Sequence, residues 1–74
     1  MDIDARSPEH SYRQLAARLR EQIQHGQITS RLPSITTLTT QTGLAVGTVR
    51  RAIDILVQEH LVHTVPGRGT FVTR

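Results

Sequence analysis

The 74-residue sequence contains no cysteine and no lysine. Without cysteine there is neither a disulfide framework nor a thiolate metal site, which suits a reducing compartment. No apolar run approaches the roughly 18–20 residues needed to cross a bilayer. The opening MDIDARSPEHSYRQ is too polar and acidic for a secretory signal. A cytoplasmic protein without a membrane partner is therefore expected. Aromatic residues are scarce, with one tyrosine, one phenylalanine and no tryptophan. Tyr12 and Phe71 are accordingly assigned to the core rather than to base-stacking platforms. The missing lysine leaves all nine basic residues as arginine. Two readings of that bias stand, a GC-rich codon preference or a use for the planar guanidinium fork that suits phosphate and guanine. The formal net charge of +3 attracts polyanions only weakly.

A chain this short forms one small domain and buries about 60–65% of the surface its unfolded form exposes. That leaves little material for a deep cleft, and no Ser-His-Asp or paired-carboxylate arrangement emerges. Neither an enzyme nor a cofactor is expected. His60 and His63 stand three apart, but a helix should be ending there and only Glu59 accompanies them, so no metal site is expected either. His63 reads as a solvated strand position or a weak, pH-dependent phosphate contact.

What is present is strong periodicity. SYRQLAARLREQIQHG places Tyr12, Leu15, Ala16, Leu19 and Ile23 on one helical stripe, with Arg13, Arg20, Glu21 and Gln24 on the wet side. Ser11 and Gln14 form a capping-box pattern. A start at Ser7 with Pro8 in the first turn also fits. The preferred division is a flexible arm over 1–10 and a folded domain over 11–74. Pro33 disfavours helix at Leu32, and Ser34 is a natural N-cap, worth about 1 kcal/mol. A short helix follows from Ile35 to about Gln41, burying Ile35 and Leu38. Its threonines are mediocre helix formers with hydroxyls free to bond elsewhere.

TGLAVGTVRRAIDILVQEH then predicts a tight turn and a longer helix. Val46, Val49, Ala52, Ile53, Leu56 and Val57 fall on its apolar side at about 100° per residue. Gly47, Arg51, Asp54 and Gln58 oppose them, flanked by Thr48 and Arg50, while Ile55 breaks the pattern by pointing to the wet side. Asp54 and Glu59 read as solvated charges, with Asp54 in reach of Arg50 or Arg51. LVHTV and TFVTR are β-rich runs joined by PGRG, a four-residue loop whose glycines can take positive φ. The expected fold is mainly α with a small β-hairpin, a winged helix-turn-helix of three helices and a two-stranded wing.

That shape places the N-terminal residues of its second motif helix at base edges in the major groove. The exposed face here offers Gly47, Thr48, Arg50 and Arg51. Arg51 can address a guanine edge in bidentate fashion, worth about 1–3 kcal/mol of discrimination. Gly47 permits close backbone approach, Thr48 suits a phosphate or a thymine methyl, and Arg50 suits a phosphate. The start of the short helix, with Ser34, Thr36 and Thr37, offers N–H groups for another phosphate, and Arg31 precedes it as a further candidate contact.

The motifs LPS at 32–34, TVRRA at 48–52 and GRGTFV at 67–72 together resemble the DNA-binding domain of the GntR family of bacterial transcription regulators, over about residues 12–73. The resemblance implies a wing tip whose Gly67 and Gly69 approach the minor groove, with Arg68 near the backbone or groove. It implies transcriptional regulation, chiefly repression, with double-stranded DNA as partner. The lysine and helix that a nucleotide-binding P-loop requires after its glycines do not follow this loop.

Some positions depart from the family pattern. Ile35 and Thr36 stand where the family has an acidic-basic pair, and Ala45 and Val46 stand where it has Ser-Arg. Val65 and Pro66 replace polar or basic wing residues. The departures imply altered sequence preference, weaker affinity per domain, or several copies side by side. The family also continues into an effector-binding, dimerising domain. Ending at Arg74, the chain reads as either an excised domain or a stand-alone protein, with the stand-alone version preferred. That version is expected to lack a small-molecule effector site and to form at most a weak or DNA-driven homodimer. The alternative is a winged-helix interaction or architectural module, such as an accessory factor in recombination or plasmid transfer, that recruits a partner.

Overall fold

The computed structural model describes residues 8–73, with side chains from Ser11 onward. Three helices come first, α1 (Pro8–Gln24), α2 (Ile35–Thr42) and α3 (Val46–Gln58). Strands β1 (Val62–Val65) and β2 (Gly69–Val72) follow as an antiparallel hairpin. The expected winged helix-turn-helix is formed. Helix α1 starts at Pro8, where the fixed proline φ suits a first helical turn and no donor is lost. Residues 8–10 are thus helix, matching the alternative start with Pro8 in the first turn, and Ser11 is buried inside the helix instead of capping it. The rest of the proposed arm, residues 1–7, and Arg74 lie outside the described residues. Among the described residues no helix is long and apolar enough to cross a membrane.

The core gathers one face of each element: Leu15, Ala16 and Leu19 from α1, Leu38 from α2, and Val49, Ala52, Ile53 and Leu56 from α3, closed by Leu32, Leu44 and Val62. Ile35 is only half-buried, at the edge of this cluster. Two residues of α3 depart from the periodicity reading. Ile55 packs against the core because α1 lies along α3 and widens the stripe it covers. Val46 does the opposite and stands 48% exposed, since the helix begins with it and it is not among the side chains packed on the core.

Strand alternation sorts the hairpin. The register Val62↔Val72, His63↔Phe71, Thr64↔Thr70 and Val65↔Gly69 turns Val62 and Val72 toward the core. Phe71 therefore takes the outer face, partly buried and stacked on His63 with ring centroids 6.1 Å apart. The assignment of Phe71 to the core is corrected by this register. Gly69 opens β2, so the loop is three residues, Pro66–Arg68, and not four. Arg68 N–H donates to the Val65 carbonyl at 3.0 Å. With Pro66 and then Gly67 at φ 75° in the centre, the turn has the residue order of a type II turn. The segment before α2 adds a third, fragmentary strand. Arg31 bridges Phe71, Leu32 N–H donates to the Thr70 carbonyl at 2.9 Å, and Val72 N–H donates to the Ser30 carbonyl at 2.6 Å. These bonds tie the wing to the start of α2.

Candidate nucleic-acid interface

Helix α2 is entered through Ser34. Its Oγ accepts from the Thr37 N–H at 3.1 Å and donates to Thr37 Oγ1 at 2.9 Å. The cap supports a helix whose propensity is poor. Three further threonines turn back on their own helix. Thr39 and Thr40 hydroxyls donate to the Thr36 carbonyl, and the Thr42 hydroxyl donates to the Leu38 carbonyl. The expectation that these hydroxyls are free is corrected for Thr37, Thr39, Thr40 and Thr42. A short, threonine-rich helix satisfies them locally, since such side chains reach back one turn. Thr36, exposed in the first turn, is the α2 threonine whose hydroxyl makes none of these bonds.

Helix α3 begins without such help. Ala45 occupies its N-cap position and contributes no side-chain hydrogen bond. Ala45, Val46 and Gly47 are all exposed, and a Cβ built on Gly47 meets nothing within 4 Å. The fold itself does not require a glycine there. The two arginines of α3 diverge, as adjacent helical positions must. Arg50 faces the wing side and lines a groove with Ile35, Ile53, Asp54, Thr64 and Thr70. Arg51 leans toward α1, its guanidinium carbon 4.2 Å from the centre of the Tyr12 ring. Neither arginine pairs with Asp54. The described ion pair is instead Arg20 with Glu59, a two-pronged contact at 2.8 and 2.7 Å. It corrects the reading of Glu59 as merely solvated. The guanidinium holds the Glu59 carboxyl below its ordinary value, and the Arg20 group is raised in return, through the same hydrogen bond.

A second groove joins Arg31, Ser34 and Thr36 to Gly67, Arg68 and Gly69 across the space between α2 and the wing. Gly69 is held at φ 126°, a region open to glycine and strained for other residues. A Cβ there would lie 3.0 Å from Arg31 Nε. The Arg31 guanidinium thus lies against the bare face of Gly69, on the outer side of the hairpin. The structure brings Arg31, Ser34, Thr36, Gly67, Arg68 and Gly69 together, with Thr37 beside Ser34 and Arg50 adjoining. Gly47, Thr48 and Arg51 sit apart, on the first two turns of α3. Tyr12 and Val46 were not among the predicted contacts, yet both stand at this surface. Periodicity assigned each of them to the core. Among the described residues no group of three or more His, Asp or Glu side chains is placed to hold a metal ion.

Residues 11–72 match the family model described as bacterial regulatory proteins, gntR family. The chain is 40% identical over 63 residues to the mannosyl-D-glycerate transport/metabolism system repressor MngR of Escherichia coli (strain K12), covering 82% of this chain and 26% of that protein. It is 38% identical over 76 aligned positions to the HTH-type transcriptional repressor NagR of Bacillus subtilis (strain 168), covering 100% of this chain and 31% of that protein. The chain thus spans between a quarter and a third of the length of these curated relatives. Among solved structures it superposes on AraR(DBD) in complex with operator ORR3 with a TM-score of 0.80 and 34% identity, over 84% of this chain and 77% of that one. YtrA from Sulfolobus acidocaldarius, a GntR-family transcription factor, gives a TM-score of 0.83 and 32% identity, over 99% and 79% of the two chains.

Proposed function

The chain belongs to the gntR family of bacterial regulatory proteins, and we propose that it binds double-stranded DNA sequence-specifically and represses the promoter it occupies. Helix α3 enters the major groove and the wing meets the minor groove. The observation that carries this reading is the uncovered start of α3, with two arginines free of carboxylate partners behind it and a groove leading past the start of α2 to the wing. A protein-only module has no need to keep such guanidinium groups unpaired. Two relatives named as repressors and a structural neighbour bound to its operator support the same conclusion.

In this arrangement Arg51 addresses a guanine edge, pre-oriented by Tyr12, and Gly47 lets the backbone approach. Thr48, Arg50 and Thr36 take phosphates, together with the Ser34 N–H and the Thr37 hydroxyl hydrogen, which the cap hydrogen bonds leave unused. Gly67, Arg68 and Gly69 form the minor-groove contact, with Arg31 behind them. Two copies assemble weakly or only on DNA. The protein acts without enzymatic chemistry, in the cytoplasm.

Fluorescence anisotropy of the purified chain on DNA from upstream of its own gene, against an unrelated duplex and over a range of salt, tests the reading. The expected result is a clear preference for the upstream DNA, with a salt slope of about −0.9 per phosphate neutralised. Equal weak binding to both duplexes would instead identify an architectural role. Absence of binding at low salt would overturn the reading in favour of a protein partner.

A further inference from the structure

Val46 is the large apolar side chain that the fold leaves exposed among the described residues, at 48%. It is the first residue of α3. Its neighbours Ala45 and Gly47 are exposed as well and carry one methyl group and none. No acidic residue stands in the first turn, and no side chain caps it. The tip of the helix proposed to enter the major groove is thus a small, uncharged, apolar surface. Arg50 follows one turn later, where residues four apart share a side of the helix.

The chemistry of the groove decides what such a tip can recognise. Guanine presents two acceptors there, cytosine a donor, and adenine one of each. A valine laid over any of these removes water and returns no hydrogen bond, leaving the base atom unsatisfied. Thymine differs, because beside its O4 it presents a C5-methyl group. An isopropyl group against that methyl buries apolar surface on both sides at no polar cost. Valine is also β-branched and stiff about χ1, so ordering it on the DNA forfeits little freedom. The small residues on either side let it come close.

We propose that Val46 is a specificity-determining residue that reads the C5-methyl of a thymine in the major groove of the operator. The inference rests on the DNA-binding reading above and adds to it the base that the α3 tip selects.

Uracil differs from thymine only by that methyl group, so uracil-substituted duplexes test the contact without altering the protein. Starting from the upstream duplex, thymines are replaced one at a time and affinities read by anisotropy. One position should weaken the wild-type chain by about fourfold, the worth of one buried methyl group. Val46→Ala, checked by circular dichroism, should bind the thymine duplex less tightly and bind the thymine and uracil forms equally. Placing 5-methylcytosine opposite guanine at that position asks whether the methyl alone suffices. Binding below that of the thymine duplex assigns the site to thymine, and equal binding overturns that assignment.

If no uracil substitution matters, or wild type and Val46→Ala lose equally, while the upstream duplex stays preferred, the proposal fails and the DNA-binding reading stands. Absence of preference for any duplex overturns both.

Discussion

The Arg51 guanidinium covers the ring of Tyr12 at 4.2 Å from its centroid, joining α3 to α1, and Arg13 approaches the same ring at 5.8 Å. A cation over an aromatic face gains about 0.5–1 kcal/mol at an exposed site. The larger consequence is pre-organisation, because a long side chain already held in place loses less freedom when it docks. Tyr12→Phe should preserve both fold and DNA preference, since the ring and not the hydroxyl makes the contact. Tyr12→Ala should lower stability by about 1–3 kcal/mol, less than for a fully buried aromatic. It should also narrow the gap between preferred and unrelated duplexes. Chemical denaturation and anisotropy on the three proteins read the two effects separately.

Gly47 separates stability from function. Nothing lies within 4 Å of a Cβ placed there, and its backbone is helical. Gly47→Ala should therefore stabilise the free protein by up to about 0.5–1 kcal/mol. If the α3 backbone comes against DNA at this point, the added methyl should weaken binding by roughly tenfold, equivalent to 1.4 kcal/mol. A variant that melts higher and binds as well as wild type would remove Gly47 from the interface.

His60 ends α3 in the left-handed region, at φ 62°. Leu61 N–H donates to the Leu56 carbonyl and His60 N–H to the Val57 carbonyl, both at 3.0 Å. This is the Schellman pattern, in which glycine is preferred at the position His60 occupies. His60→Gly should raise stability by about 0.5–1 kcal/mol, the relief of left-handed strain less the entropy glycine loses on folding. Thermal melts at constant pH decide it, and a destabilised variant would mean that the imidazole makes a favourable contact.

The Arg20–Glu59 pair predicts a pH dependence. Its hydrogen bonds hold the Glu59 carboxyl below its ordinary value of 4.5. A depressed carboxylate stabilises the fold above its unfolded pKa, and that contribution disappears as pH falls through the folded one. Wild type should therefore be more stable than Glu59→Gln at neutral pH, with the gap closing in acid below the ordinary carboxylate range. Both groups are solvent-accessible, so high salt should shrink the gap as well. The raised Arg20 group adds a contribution lost only far on the alkaline side. Urea denaturation of both proteins across the acid range measures the closure.

The order of elements was legible in the chain because it is written in local chemistry: Pro8 and Ser34 at helix starts, alternating branched residues in the strands, and glycines at the wing. Most of the core was equally legible, since a stripe at helical spacing has one side to bury. The errors arose where a second element decides the outcome. Val46 continues the stripe, but the fold leaves it uncovered. Ile55 leaves the stripe, but α1 reaches it. Phe71 has the composition of a core residue, but the pairing of Val62 with Val72 turns it outward.

The candidate interface divides along the same line. The sequence by itself determined the candidates for DNA contact other than Tyr12 and Val46, because donors, glycines and helix starts are properties of residue type and spacing. Tertiary structure decided how they are grouped. It set Arg31 against Gly69, placed Arg50 beside the wing, handed Arg51 to Tyr12 and left Val46 bare. Each of these relationships joins residues from different elements or depends on what another element covers. Such neighbours are set by how helices and strands pack in space, and the periodicity of a single element carries no record of them.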